Sequence, residues 1–190
     1  MQTQNTLTPA QEKKIALMQH LNEDFFIIES EDGEVTIYEG NEEEQRELFR
    51  EDIEGTEEAE IDANFEIFCS NNCTEVEEYD EDDYNNDYLV LTDEEADEKA
   101  KEYILDSVWA FNPSFLSSFT GFDIEVFEAI QNNGRCESNN SAILSMIDDE
   151  DDFVNDAISA DGRGHFMKSY DGDENEENVN GTTYFIYRIN

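Results

Sequence analysis

Three cysteines offer the most specific chemistry in this sequence of 190 residues, namely a zinc site or a reactive thiol. Cys69 and Cys73 are separated by three residues, and Cys136 stands far from both. A zinc site needs further ligands, and the two histidines, His20 and His165, are too far apart in sequence to complete it. The surroundings of Cys73 and Cys136 are rich in asparagine and acidic residues, which oppose formation of a thiolate. The sequence predicts reduced, non-catalytic thiols.

Residues 161–165, Asp-Gly-Arg-Gly-His, combine a cation, a histidine and flexible backbone, as a small anion or phosphate site does. Two glycines after a helix also form a C-cap and a turn, and one arginine among many acids pairs most simply within the chain. No serine or cysteine nucleophile with a suitably spaced base accompanies His165. The sequence favours the C-cap with an internal salt bridge.

Residues 171–175, Asp-Gly-Asp-Glu-Asn, provide the first ligand positions of a calcium-binding EF-hand loop. Glu176 then stands where the loop needs glycine, and Thr182 where it needs a bidentate glutamate, so we expect a solvated loop instead. Catalytic carboxylate pairs cannot be singled out, because 51 aspartates and glutamates place some pair at every spacing. The sequence predicts a protein that is not an enzyme and binds no cofactor or metal.

The N-terminal half predicts helices and antiparallel strands. An Asp-Gly pair at 32–33 separates two β-rich runs, which is a hairpin signal. Apolar residues alternate with polar ones from Ile61 to Cys69, which predicts a strand with one buried face. The predicted elements are a helix over 12–22 that is capped by Thr8 and buries Ile15, Met18 and Leu21, strands over 25–30 and 34–38, a helix over 42–50 capped by Asn41, and a strand over 60–69.

The C-terminal half predicts a strand, several helices and a terminal hairpin. Thr92 and Glu95 match a capping box, in which each side chain satisfies a backbone donor at a helix start, and Pro113 bounds that helix. The predicted elements are a strand over 88–91, a long helix over 93–111, shorter helices over 114–119, 123–131, 137–146 and 148–160, and a hairpin of 165–170 with 182–189.

These elements predict an α+β fold with N-terminal antiparallel strands, a helical middle and a C-terminal β-hairpin. We predict a single domain over 1–190, with the acidic segment 70–87, a loop or a locally disordered stretch, as the candidate boundary before residues 88–190. Aromatic residues after the long helix indicate a core, with a partner-binding patch as the alternative. They are Trp109, Phe111, Phe115, Phe119 and Phe122.

The formal charge of −41, from 51 acidic and 10 basic residues, limits the partners of the chain. A phosphate backbone or an anionic lipid surface would meet a strongly negative potential, so we expect no direct binding to nucleic acid or membrane. No apolar run reaches the roughly 18 residues of a membrane span, and residues 1–22 lack the features of a signal peptide. We expect an intracellular protein with a basic partner.

Residues 87–98 read Asp-Tyr-Leu-Val-Leu-Thr-Asp-Glu-Glu-Ala-Asp-Glu, and residues 107–112 read Ser-Val-Trp-Ala-Phe-Asn. A second block combines Ser-Ala-Asp-Gly-Arg-Gly-His-Phe at 159–166 with the ending Tyr-Phe-Ile-Tyr-Arg at 184–188. In these blocks the sequence resembles an uncharacterised family of small acidic proteins of tailed bacteriophages, over roughly residues 87–190. The resemblance implies a phage source and a host-cytoplasm setting, and it supplies no catalytic residue.

The charge density is comparable to that of duplex DNA. A compact chain of 190 residues has a diameter of about 40 Å, a length that holds about 24 phosphates of duplex DNA. Half of the net charge on one face would be about 20. We therefore hypothesise a phage-encoded, non-enzymatic mimic of nucleic acid that inhibits a basic host protein, such as a restriction, CRISPR or other defence nuclease, or a nucleoid protein.

The alternative is a phage accessory protein of replication or virion assembly, in which acidity gives only solubility and the partner contact is apolar. A small enzyme or metal-binding protein is a third class. Under the first hypothesis the partner contacts the dense acidic segments of the chain. These are Glu77, Glu78, Asp80, Glu81, Asp82 and Asp83, then Asp93 and Glu94, and then Asp148, Asp149, Glu150, Asp151 and Asp152.

Overall fold

The computed structural model describes residues 7–30, 33–52, 58–82, 87–132, 137–167 and 170–190. Its helices, N-terminal strand pair and C-terminal strands confirm the predicted α+β class. The chain divides into two compact units. Unit 1 comprises Met1–Val90 with Asn175–Ile186, and unit 2 comprises Leu91–Glu174 with Tyr187–Asn190. No helix in the described ranges is both long and apolar enough to span a membrane.

Unit 1 begins with helix α1, Pro9–Leu21, and a hairpin of strands β1, Phe25–Glu29, and β2, Val35–Glu39. The Thr8 hydroxyl accepts from the Gln11 amide at 3.1 Å, and the Gln11 side chain accepts from the Thr8 amide at 2.9 Å. This reciprocal cap confirms Thr8 as the start of α1. Ile15 and Met18 are buried as predicted, whereas Leu21 is 38% exposed because it ends the helix just before the chain turns.

Helices α2, Glu42–Asp52, and α3, Glu58–Asn72, follow the hairpin. Asn41 caps α2 as predicted. The predicted strand over 60–69 is wrong, because these residues lie in α3. Phe65 and Cys69, four residues apart, are both buried on one helical face, while Ile67 is 60% exposed. Apolar residues at every second position include pairs that are four positions apart, and this is also the spacing of residues on one face of a helix. The pattern alone therefore did not distinguish a strand from a helix.

The acidic segment after α3, residues 73–82, is held to the core of unit 1 by buried Val76 and Tyr79. The Tyr79 hydroxyl donates to the carbonyl of Tyr88 at 3.2 Å and accepts from the amide of Val90 at 2.9 Å. Val76 packs in a cluster whose buried residues come from α1 and four strands. The predicted loop therefore begins after Asn72, and its described part is anchored.

Strand β5, Thr182–Arg188, lies between β3, Tyr88–Thr92, and β4, Asn175–Val179, in a three-stranded sheet. Asn180 and Gly181 connect β4 and β5 with φ angles of 53° and 91°, as a type I′ hairpin turn requires. The terminal hairpin is present, but its first strand was predicted wrongly at 165–170. The two-residue Asn-Gly turn sets the register of β4 against β5. The acidic residues that precede this turn therefore lie in strand β4.

Unit 2 is built of short helices around one longer helix. The prediction of a helix to residue 111 is wrong, because α4 ends at Asp106. The Asn140 amide donates to the carbonyl of Leu105 at 2.7 Å, and its oxygen accepts from the amide of Trp109 at 3.1 Å. This side chain, distant in sequence, therefore forms the hydrogen bonds of backbone groups at and just after the end of α4. The helices are α4, Asp93–Asp106; α5, Pro113–Ser118; α6, Ile124–Gln131; α7, Asn140–Leu144; α8, Glu150–Asp161; and α9, Arg163–Phe166, with 3-10 turns at Val108–Ala110 and Glu137–Asn139.

An aromatic cluster lies in the core of unit 2. Phe153 of α8 is fully buried, and its ring centroid lies 5.1 Å from that of Phe111, 5.2 Å from Phe115 and 5.3 Å from Phe119. Phe122 is 46% exposed and stands outside this packing. Three of the five aromatic residues identified in the sequence thus pack around one ring, as a core does.

Among the glycines that the structure describes, Gly164 of α9 is the one whose surroundings leave no room for a side chain. A Cβ atom there would lie 2.9 Å from the carbonyl carbon of Gly172 and 3.1 Å from the carbonyl oxygen of Asp173. We expect Gly164→Ala to lower the free energy of unfolding of unit 2 by about 1 to 3 kcal/mol, because backbone must move. Urea unfolding followed by the fluorescence of Trp109, the single tryptophan, measures this change.

Gly121 provides the matched control, since a Cβ atom there would meet nothing within 4 Å. Gly121→Ala should change the free energy of unfolding by less than about 0.5 kcal/mol. Equal effects at the two glycines would contradict the steric explanation for Gly164.

Candidate functional site

The candidate site consists of the exposed acidic segments. Every described residue of the predicted partner-binding set is exposed, and Asp83 lies outside the described residues. Unit 1 holds one segment, residues 77–82, and unit 2 holds two, at the starts of α4 and α8. In sequence, unit 1 carries 30 acidic residues against 4 basic ones, and unit 2 carries 21 against 6.

The segment 77–82 is a stretch of irregular backbone on which carboxylates face solvent. Glu78 accepts a hydrogen bond from the Thr8 hydroxyl at 3.1 Å, beside the start of α1. The carboxylate of Asp80 accepts from the amide of Asp82 at 3.0 Å, which stabilises a local turn. Because Tyr79 is buried among them, these acidic side chains are carried on an anchored backbone.

The start of α4 brings Asp93 and Glu94 to the surface. The amide of Thr92 donates to Glu95 at 2.8 Å, and the amide of Glu95 donates to the Thr92 hydroxyl at 3.3 Å, which confirms the predicted capping box. Acidic residues in a first turn are stabilised by the positive end of the helix dipole. The Asp93 side chain is 71% exposed although it pairs with Arg163.

The start of α8 carries the cluster 148–152. Asp149 accepts from the amides of Asp151 and Asp152, each at 3.1 Å, and so caps the helix. Lys101 of α4 contacts Asp151 at 2.5 Å. This hydrogen bond, with the attraction of the same carboxylate, raises the pKa of Lys101. The cluster of five acids therefore remains strongly negative although Lys101 reaches it.

Arg163 of α9 binds carboxylates from separate parts of unit 2. Its guanidinium contacts Glu174 through two nitrogens, each at 3.0 Å, and reaches Asp93 at 2.7 Å and Asp97 at 3.0 Å. Its side chain is 12% exposed. Burial opposes the charge, but the hydrogen bonds that Arg163 donates to Glu174 and Asp93 outweigh this effect and raise the pKa of Arg163. This arginine forms the internal salt bridge that the sequence favoured.

Glu174 is a residue whose role the sequence did not indicate. Besides Arg163, it accepts a hydrogen bond from the Tyr187 hydroxyl at 2.6 Å. Burial and this bond raise the pKa of Tyr187. In the sequence, Glu174 belongs to the candidate calcium loop. Its pairing with Arg163 was indicated only by the presence of an acid eleven residues after an arginine, and such spacings are too common in this acidic chain to be specific.

The described cysteines form no recognisable catalytic or metal site. Cys69 is fully buried, and burial followed by interaction with Cys73 raises its pKa from 9.0 to about 12. Cys136 lies outside the described residues. Within those residues, no three histidine, cysteine, aspartate or glutamate side chains are grouped to hold a metal ion. Cys69 is thus a small buried side chain, as expected, although it lies in a helix.

No protein-family model, curated protein or solved structure matches the chain.

Proposed function

We propose that this chain is a non-enzymatic acidic protein that mimics nucleic acid and occupies the nucleic-acid-binding surface of a basic protein. The observation that carries the proposal is the exposure of every described acidic residue in the three acidic segments. Two segments are helix starts, and the third is held by Val76 and Tyr79. Their charges are therefore presented on ordered backbone.

The physical basis is the release of counterions. A protein that grips a duplex through lysines and arginines gains affinity because its charges displace ions condensed on the phosphates. An acidic surface of similar charge density engages the same side chains. Binding should then weaken steeply with salt, as it does for DNA.

The resemblance of residues 87–190 to acidic tailed-phage proteins supports a host defence nuclease or nucleoid protein as the partner. Such proteins carry basic surfaces for nucleic acid. Under this proposal the chain acts in the cytoplasm of a bacterial host and inhibits by competition. It needs no catalytic group.

We expect the chain to displace a fluorescent DNA duplex from a basic nucleic-acid-binding protein at about 50 mM salt, and to lose most of this activity at about 300 mM. The assay uses a panel of restriction nucleases, CRISPR effectors and nucleoid proteins, with anisotropy of the duplex as readout. Failure to displace DNA from any member at low salt would contradict the proposal.

Matched variants distinguish binding through particular acidic segments from a general effect of the net charge. Glu77→Gln with Asp82→Asn tests unit 1, and Glu150→Gln with Asp152→Asn tests unit 2. A control, Glu125→Gln with Glu128→Gln, removes two exposed charges from α6. Each removed contact should reduce the slope of log affinity against log salt by about one. If the control lost as much affinity as both test variants, the effect would be one of net charge only.

The second candidate function, an accessory protein that binds a replication or virion component through apolar surface, is favoured by a specific observation. Phe122, Ile124 and Val126 are between 37% and 46% exposed at and before α6. Binding through such a surface is insensitive to salt. A pull-down from bacterial lysate at low and high salt distinguishes the candidates, since a partner retained equally at both favours the apolar contact.

A further inference from the structure

A cavity of about 300 Å3 in unit 2 lies apart from the acidic segments. It brings together two regions that the sequence analysis treated separately, the aromatic residues after α4 and the segment 161–165. Its volume is at the lower end of the range for small-ligand sites, so it suits one side chain or a small ligand. Its lining includes Tyr103, Phe111, Phe115, Asp161, His165 and Phe166.

Aromatic rings form much of the cavity wall. The ring of Phe111 stacks against Phe115 at 5.5 Å and against Phe166 at 6.2 Å between centroids. Tyr103 lies 6.3 Å from Phe166 and is 36% exposed, so this wall is open to an incoming group. Aromatic faces attract ammonium and guanidinium groups because their quadrupole is negative at the face.

The electrostatic surroundings also favour a cation. Asp161 is exposed on the cavity rim, and no group in the described part of the chain donates a hydrogen bond to its carboxylate. The last turns of α4 and α8 both contribute lining residues, and neither turn contains a basic residue. Helix C-termini carry partial negative charge. Arg163, two residues after Asp161, is engaged by Asp93, Asp97 and Glu174.

We infer that this cavity receives the guanidinium or ammonium group of a basic side chain on a protein partner. The aromatic wall accommodates the alkyl stem and the face of the cation, and Asp161 neutralises its charge. The inference rests on the proposed function, because it names the group by which the basic partner is anchored. An anionic ligand would meet Asp161 and two helix C-termini.

The test uses Nα-acetyl-arginine N-methylamide as the probe and alanine methyl groups as reporters. Ala110, Ala157 and Ala160 line the cavity, whereas Ala16 lies in the core of unit 1. In about 300 mM salt, which screens exposed charges, the probe should shift the three cavity methyl resonances and not that of Ala16. The neutral isostere, with citrulline in place of arginine, should bind at least about tenfold more weakly. Equal binding of the two compounds would overturn the inference.

Two variants locate the probe. Asp161→Asn should weaken binding by about threefold to fivefold, while Asp156→Asn, on the same helix outside the cavity lining, should change it by less than about twofold. Ala160→Leu fills the cavity from an exposed helical position and should abolish the shifts without unfolding the chain. Retained binding in Ala160→Leu, or equal losses in the two aspartate variants, would overturn the inference.

The duplex displacement assay separates this inference from the proposed function. A wild-type chain that displaces DNA but does not bind the arginine probe refutes the cavity and leaves mimicry standing. A chain that binds the probe at the cavity but displaces no DNA refutes mimicry and, with it, the assignment of the cavity to a basic partner.

Discussion

Replacing Phe153 by alanine is expected to lower the free energy of unfolding of unit 2 by about 3 to 5 kcal/mol. Its ring is fully buried and lies within 5.3 Å, between centroids, of three other phenylalanine rings. The substitution removes this apolar burial and leaves a cavity that the rigid rings cannot close. Urea unfolding followed by Trp109 fluorescence reports on unit 2, because this tryptophan lies within it.

Phe122→Ala is the appropriate comparison, because it deletes the same side chain from a position that is 46% exposed. Its effect should stay below about 1 kcal/mol. If the two substitutions destabilised the protein equally, the cluster around Phe153 would not be the core of unit 2.

The second large effect is expected for Arg163→Met, which should reduce the free energy of unfolding of unit 2 by about 2 to 4 kcal/mol. Methionine retains much of the side-chain volume but leaves Glu174, Asp93 and Asp97 without their cation. This expected loss of unfolding free energy is smaller than the loss on breaking a fully buried ion pair, because the two aspartates are mostly exposed.

Glu174→Gln completes a double-mutant cycle with Arg163→Met. In the double variant the uncompensated carboxylate is absent, so its destabilisation should be smaller than the sum of the single effects by about 1 kcal/mol or more. Arg188→Met, at an exposed arginine above the ring of Tyr170, should cost less than about 1 kcal/mol. Strict additivity in the cycle would show that Arg163 acts by packing rather than by charge.

Features that depend on a few neighbouring residues were readable from sequence. The caps at Thr8 and Thr92 and the first hairpin match their predictions, because each depends on hydrogen bonds or turn geometry within a few positions. The acidic character of the candidate site was equally readable. Its described residues are exposed because charged side chains are rarely buried without partners.

Distant contacts explain the wrong predictions. The segment around Phe65 was predicted as a strand but forms a helix that packs against α2. The ring of Phe49 in α2 lies 5.6 Å from that of Phe65 and 5.3 Å from that of Phe68, between centroids. The long helix ends early where Asn140 bonds the backbone at Leu105. Neither neighbour can be inferred from a local pattern, since packing overrides propensity in short segments.

The sequence by itself determined the charge, the helix caps at Thr8, Asn41 and Thr92, the first hairpin and the absence of a recognisable catalytic motif, since all of these are properties of composition or of short spacings. Only the tertiary structure decided which carboxylates Arg163 binds, which aromatic rings surround Phe153, and that Asp161 shares a cavity with Tyr103 and Phe111. The physical reason is that these contacts join residues from 11 to 70 positions apart. Among 51 similar acids, only folding selects the partners.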